Sequence, residues 1–161
     1  MKKLFATALG ASLISLFAGC GAGGGGGAEI PDTPEGQAFQ YRTGVMEAVA
    51  YKVAQLRGMA MGEIPVNQDL FIKHANDVAT LATMIPEGFI PNSAIEGSAA
   101  LPEIWTNNAD FQAKAMDLHN AAQALAMAAQ SQGFEAAKGM VQQVGGTCGG
   151  CHRPYRRRQE E

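Results

Sequence analysis

The sequence predicts an all-α fold, an antiparallel four-helix bundle, from its size, its composition and its periodicity. The chain has 161 residues, enough for one domain of ordinary size. Hydrophobic residues make up 47% of it and are largely alanine, leucine and methionine, which favour helices over strands. Four amphipathic segments joined by mostly short connections then predict the bundle.

The N-terminal residues are predicted to be an export signal. Lys2 and Lys3 precede an apolar stretch, and small residues lead to Cys20, as in a secretory signal. The residues before Cys20 resemble a bacterial lipobox, although Phe17 stands where leucine is usual. We therefore expect residues 1–19 to be a lipoprotein signal peptide and Cys20 to carry the lipid. The alternative is ordinary cleavage near this point.

The mature chain is predicted to begin with a tether. Residues 20–34 hold the lipidated cysteine and a glycine run without packing capacity, so they form a flexible linker. The folded domain then spans residues 35–161. A formal net charge of -3 and a pI of about 5.6 argue against a nucleic-acid-binding protein, which is usually basic.

The first two predicted helices span residues 35–62 and 67–85. Pro65 ends the first, and Asn67 is the predicted N-cap of the second. Their apolar faces are formed by Phe39, Val45, Val49, Val53, Leu56 and Ala60 in the first helix and by Phe71, Val78, Ala82 and Ile85 in the second. Residues 86–102 are rich in proline and glycine and predict a long loop, of the kind that is functional or wraps another group.

The third predicted helix begins at residue 105 or 107 and ends at residue 131. Its apolar residues recur at alternating spacings of four and three, which is typical of a bundle seam; they are Phe111, Ala115, Leu118, Ala122, Leu125 and Ala129. The fourth helix starts near Phe134 and continues into residues 147–156. Alanine on the seams leaves volume that another body, such as a cofactor, must fill.

The motif that indicates the chemistry lies in this last helix. Cys148, Gly149, Gly150, Cys151 and His152 form the C-x-x-C-H signature of c-type haem attachment. Two thiols at this spacing add to the two vinyl groups of haem, and the neighbouring imidazole binds the iron. We expect one haem c per chain, with the two glycines removing side chains that would obstruct the macrocycle.

Three alternatives compete for the motif. Structural zinc needs four ligands, but His74 and His119 lie singly on separate helices. A thiol redox motif needs a βαβ context, and a local disulfide leaves His152 without a role. With a lipid on Cys20 and haem on Cys148 and Cys151, each of the three cysteines has a role.

The chain resembles the class II c-type cytochromes, the cytochrome c-prime group, over residues 37–158. The resemblance rests on Tyr41-Arg42, on Pro102-Glu103-Ile104-Trp105 with Asp110-Phe111 and Lys114-Ala115, and on Thr147-Cys148-x-x-Cys151-His152-x-x-Tyr155-Arg156. In low-spin members of this family, a methionine one turn after the first-helix arginine binds the iron opposite the histidine. That position is Met46, with Gly44 nearby; the alternative is that Met46 fills the core.

The resemblance also implies a haem environment. Arg42 is expected to face a haem propionate, or else to be a solvated surface charge. Arg156 is expected beside the proximal imidazole on the face of His152, although Pro154 should kink or loosen this turn. Trp105 is expected at the haem edge, or as a plain core residue.

The remaining residues of note have ordinary expectations. The C-terminal part of the chain is basic, with Arg156, Arg157 and Arg158 in a row. Either these cations interact favourably with the helix C-terminus, or they dock an acidic redox partner. Met59 and Met61 are expected in the core or at the helix end. His74 and His119 are expected on the surface or half-buried.

The predicted function is that of a membrane-tethered electron carrier on the periplasmic side of a bacterial membrane, not an enzyme. His152 and Met46 are the expected axial ligands, redox proteins its expected partners, and the lipid on Cys20 its membrane contact. The alternative is a five-coordinate haem protein that binds nitric oxide or carbon monoxide, and a remote one is a haem-free scaffold. The resemblance also implies a homodimer through the first two helices, which is typical of the family.

Overall fold

A computed structural model describes residues 29–158 of the chain. Its helices, in chain order, are α1 (Pro34–Met61), α2 (Gln68–Met84), α3 (Glu103–Thr106), α4 (Asn108–Gln132), α5 (Phe134–Ala137) and α6 (Val141–Tyr155). The long helices α1, α2, α4 and α6 form the predicted four-helix bundle, while α3 and α5 are single turns. The predicted signal peptide and Cys20 lie outside the described residues.

The ends of α1 and α2 follow from local chemistry. The Thr33 hydroxyl accepts a hydrogen bond from the Gly36 N–H at 3.2 Å, and Gly62 ends α1 in the left-handed conformation with a φ of 73°. The Asn67 side chain accepts from the Leu70 N–H at 3.0 Å, which confirms Asn67 as the N-cap. The predicted bounds of both helices agree with the structure to within a residue or two.

The core lies between the long helices. α4 packs mainly against α2 and α6, and α1 packs mainly against α2. The predicted α4 seam is entirely buried, and so are the predicted apolar positions of α2 with Ile85. In α1 the stripe is confirmed at Val45, Val49 and Leu56, whereas its other members lie half-buried at the edges.

The prediction of one continuous fourth helix is wrong. The single turn α5 is followed by a 3₁₀ turn over Lys138–Met140 before α6 begins. Gly139 sits in this break and weakens the α-helical conformation. Lys138 bonds Glu135 three residues earlier at 2.6 Å, a spacing that suits the tighter helix.

The predicted long loop is present as residues 89–102, preceded by a 3₁₀ turn over Ile85–Gly88. It contains no regular strand, but Ala100 pairs antiparallel with Arg156 just beyond α6. The loop therefore returns to the C-terminal end of α6, where the motif lies.

None of the helices within residues 29–158 is both long and apolar enough to span a bilayer.

Candidate haem-binding site

The two motif thiols lie on α6, one turn apart, and within residues 29–158 neither forms a disulfide. Both side chains are half-buried and pack against the hydrophobic core. Burial raises the pKa of the Cys148 thiol, and it raises that of Cys151 to about 11. A thiol–disulfide exchange centre needs a lowered thiol pKa, so this environment disfavours the redox-motif alternative.

His152 follows the second thiol and is exposed at the surface. Partial shielding of the ring from water lowers its pKa, and the nearby charge of Arg156 lowers it further. The imidazole is therefore neutral at pH 7 and keeps a nitrogen lone pair for a metal.

The glycines of α6 in and before the motif face open space. A Cβ atom added to Gly145, Gly146, Gly149 or Gly150 would meet no atom within 4 Å. Two unpaired thiols one turn apart, a neutral imidazole beside them and open space along the helix fit a covalently attached haem. Zinc fits less well, since no three His, Cys, Asp or Glu side chains of the described residues gather into a metal site.

Met46 lies in the N-terminal half of α1, half-buried and packed against the same core as Cys148 and Cys151. Gly44 nearby faces open space. The other two methionines of this helix behave as predicted. Met59 is buried, and Met61 lies exposed at the helix end, where its sulfur accepts a hydrogen bond from Arg57 Nε at 3.2 Å.

Arg42 is buried, so its interpretation as a solvated surface charge is wrong. Only 5% of the residue is exposed, and its guanidinium lies 5.0 Å from the ring centres of both Phe39 and Phe89. Its Nη1 donates to the Gly88 carbonyl and its Nη2 to the Ser98 hydroxyl. Its described partners are thus loop atoms, while its contact with a propionate stays a prediction.

The buried serines of the loop were not identified from the sequence. Ser93 receives hydrogen bonds from Arg42 on both its hydroxyl and its carbonyl, and it is fully buried, with Ser98 at 9% exposure. Polar loop residues are ordinarily exposed, so no sequence pattern distinguished these two.

Trp105 is half-buried in α3 and fastens the start of the loop. Its Nε1–H lies 3.0 Å from the Phe89 carbonyl oxygen and 2.9 Å from that of Ile90. With Pro91 and Pro102 it lines a shallow surface groove of about 670 Å³. Its predicted place at the haem edge stays a prediction.

Arg156 lies just beyond α6, which continues through Pro154 and ends at Tyr155. The helical placement predicted for Arg156 is therefore wrong, because its backbone is extended, with φ of -126° and ψ of 129°. Its N–H still donates to the His152 carbonyl at 3.0 Å. Its charge lowers the pKa of His152, while its predicted place beside the haem-bound imidazole stays a prediction.

Tyr155 joins the motif to α4, a role that the sequence did not reveal. The buried ring packs edge-to-face on Phe111, with 5.4 Å between ring centres. Its hydroxyl donates to Asp110 at 2.6 Å and accepts from the Asn107 amide at 3.1 Å. Burial and the Asp110 carboxylate raise the pKa of Tyr155 to about 12.

The two remaining histidines, His74 and His119, differ in how deeply they are buried. His119 is half-buried as predicted, and its Nδ1 lies 2.8 Å from the Ala79 carbonyl oxygen. His74 was also expected to be exposed or half-buried, but it is 8% exposed. It faces the interface of α1 and α2, where its ring meets Tyr51.

A four-helix bundle with a C-x-x-C-H motif at the end of its last helix defines a class II c-type cytochrome. Residues 37–156 match the family described as Cytochrome C', and the chain belongs to this family. It therefore binds covalently attached haem c, typically one per chain.

The similar proteins cover most of the domain. Cytochrome c-554 from Cereibacter sphaeroides is 36% identical over 121 residues, which are 73% of this chain and 90% of that protein. Cytochrome c-556 from Agrobacterium tumefaciens is 34% identical over 117 residues, which are 71% of this chain and 93% of that protein. The structure of cytochrome c prime from Shewanella frigidimarina has a TM-score of 0.72 at 32% identity and covers 77% of this chain and 97% of its own.

Proposed function

We propose that this protein is a single-electron carrier whose haem is held by Cys148, Cys151 and His152, with Met46 as the second axial ligand. The observation that carries the proposal is the position of Met46. It lies half-buried on α1, one turn beyond the buried Arg42, and α1 contacts α6, the helix that carries both motif cysteines.

The chain's own residues have separate tasks in this proposal. Cys148 and Cys151 fix the porphyrin to α6 through thioether bonds, so His152 is held close to its ligand position by the backbone. The neutral imidazole supplies one nitrogen lone pair. Bound in this way, haem supplies a reversible one-electron change at its iron, at a potential that a methionine ligand raises.

Met46 also decides between carrying electrons and binding gases. A thioether in the sixth position keeps small neutral molecules from the iron and leaves little to rearrange when one electron arrives. Transfer of an electron needs no catalytic acid or base, so we assign no enzymatic activity.

The cellular setting of the proposal comes from the N-terminus. We propose that Cys20 carries a lipid and that the residues between it and the start of α1 at Pro34 tether the domain to the periplasmic side of a membrane. The glycine-rich sequence of this tether would let the domain turn toward soluble redox partners. The exposed Arg156, Arg157 and Arg158 are the proposed contact for an acidic partner surface.

The experiment that tests the axial ligand compares Met46→Ala with the control Met140→Ala, a half-buried methionine packed on the same core. Both variants are made with haem-maturation machinery, and their visible spectra are recorded oxidised and reduced. We expect Met46→Ala to become high-spin and Met140→Ala to stay low-spin. A wild-type spectrum that is already high-spin, and unchanged by Met46→Ala, would contradict the proposal and favour gas binding.

A further inference from the structure

We infer that residues 88–101, here termed the strap, join the helix that carries Met46 to the segment that follows His152 and thereby hold Met46 within reach of the iron. Arg42, Ser98 and Ala100 are the positioning residues of this device. The inference rests on the proposed function, because it concerns how the second axial ligand is kept in place.

The first attachment of the strap is to α1. A buried guanidinium is costly unless its N–H groups are satisfied, and the strap supplies their acceptors at Gly88, Ser93 and Ser98. The backbone approaches α1 closely here, since a Cβ atom on Gly88 would lie 2.5 Å from the Cβ of Arg42. The strap is thus fixed to α1 one turn before Met46.

The second attachment is to the chain just beyond the motif. The Leu101 N–H donates to the Tyr155 carbonyl at 3.1 Å, and the Arg157 N–H donates to the Ala99 carbonyl at 2.8 Å. Between these two hydrogen bonds, Ala100 pairs antiparallel with Arg156. The strap therefore holds residues that begin three positions after His152.

Ser98 connects the two attachments. Its hydroxyl oxygen accepts from Arg42 Nη2 at 3.0 Å and from the Ala100 N–H at 3.2 Å. A hydroxyl oxygen has two lone pairs, and both are used. A continuous chain of hydrogen bonds therefore leads from α1 through Ser98 to the Ala100–Arg156 pair.

The two axial positions depend on the strap to different degrees. His152 follows a covalently attached cysteine, so its place is set by α6 itself. Met46 has no such bond, and α1 packs more extensively on α2 than on α6. Loosening the strap should therefore release Met46 from the iron while His152 stays bound.

Ser98→Ala distinguishes this device from a direct contact of Arg42 with haem, because it removes the hydroxyl that links Arg42 to Ala100 and keeps the guanidinium. Arg42→Gln removes the whole α1 attachment. Arg57→Gln is the matched control, since Arg57 is an exposed arginine of the same helix whose side chain bonds Met61 and does not bond the strap. Circular dichroism checks the fold of each variant.

The measurement is carbon monoxide binding to the reduced holoproteins, with the visible spectrum as the record of spin state. Wild type should bind slowly. The fraction of iron without bound Met46 should rise about tenfold in Ser98→Ala, which loses the hydrogen bonds of the Ser98 hydroxyl to Arg42 and Ala100. The rise should be larger in Arg42→Gln, and Arg57→Gln should match wild type.

Three results would overturn the inference, and they differ from one another. A low-spin wild type whose Ser98→Ala variant binds carbon monoxide no faster contradicts the strap alone, even if Arg42→Gln fails to fold. A change in Arg42→Gln with none in Ser98→Ala places the control of Met46 at Arg42 itself and contradicts a link through Ser98. A wild type that is high-spin contradicts the proposed function together with the strap.

Discussion

The two ends of the bundle are built by different means. At the turn end, where α1 meets α2 and α4 meets α5, Phe71 packs edge-to-face on Phe134 with 5.0 Å between ring centres, and Leu56 and Ala129 are fully buried. At the site end, a buried arginine, two buried serines and a tyrosine–carboxylate pair hold loop and helices together. Apolar packing thus stabilises one end, while directed hydrogen bonds set positions at the other.

The cysteine pair offers the largest effect at the site end. Replacing Cys148 and Cys151 together with alanine should abolish covalent haem, because both thioether bonds are lost. The measurement is a haem stain after denaturing electrophoresis of protein made with maturation machinery. Cys20→Ser is the control. It should retain the haem while moving the protein from the membrane to the soluble fraction, and haem lost from Cys20→Ser would contradict our division of the cysteines.

At the turn end, Phe71→Ala should lower stability without changing the haem spectrum. Phe71 is completely buried, and truncation of a buried phenylalanine costs about 3–5 kcal/mol. Denaturant unfolding of the holoprotein measures the free energy of unfolding. The visible spectrum then gives the spin state of the haem in the folded fraction. A high-spin folded fraction in Phe71→Ala would break the proposed separation of the two ends.

Tyr155→Phe should give a smaller effect, confined to the site end. The variant loses the hydrogen bond to Asp110 but keeps the ring on Phe111, so its melting temperature should fall less than that of Phe71→Ala.

The same variant has a pH signature. The pKa of Tyr155 is raised to about 12 in the fold from an ordinary value near 10, so the unfolded chain loses this proton first as the pH rises. Tyr155 therefore contributes stability that is complete below about pH 10 and is lost between about pH 10 and 12. Thermal melts across this range should show a steeper loss for wild type than for Tyr155→Phe. Parallel slopes would show that Tyr155 is not responsible.

The difference between the two ends also explains what the sequence could predict. The periodic apolar residues of α2 and α4 predicted these helices and their buried faces, because apolar residues on one helix face recur every three or four residues. The caps at Thr33 and Asn67 act within three residues, and only the second was identified. The C-x-x-C-H motif is likewise local.

The network at the site end could not be derived in this way. Arg42 bonds residues 46 to 56 positions away in the chain, and Tyr155 bonds Asp110 across 45 positions. Such pairings depend on how a proline-rich loop folds back on the bundle, which no periodicity encodes. The sequence therefore predicts the ligands of the site from local motifs but not the contacts around them.

The addition of carbon monoxide to the reduced wild-type holoprotein tests the central claim most directly. The side chain of Met46 should bind the iron, so the ferrous spectrum should be low-spin and should change only slowly when the gas is added. A high-spin ferrous protein that binds carbon monoxide at once would contradict the account, and would assign Met46 to packing and the site to gas binding.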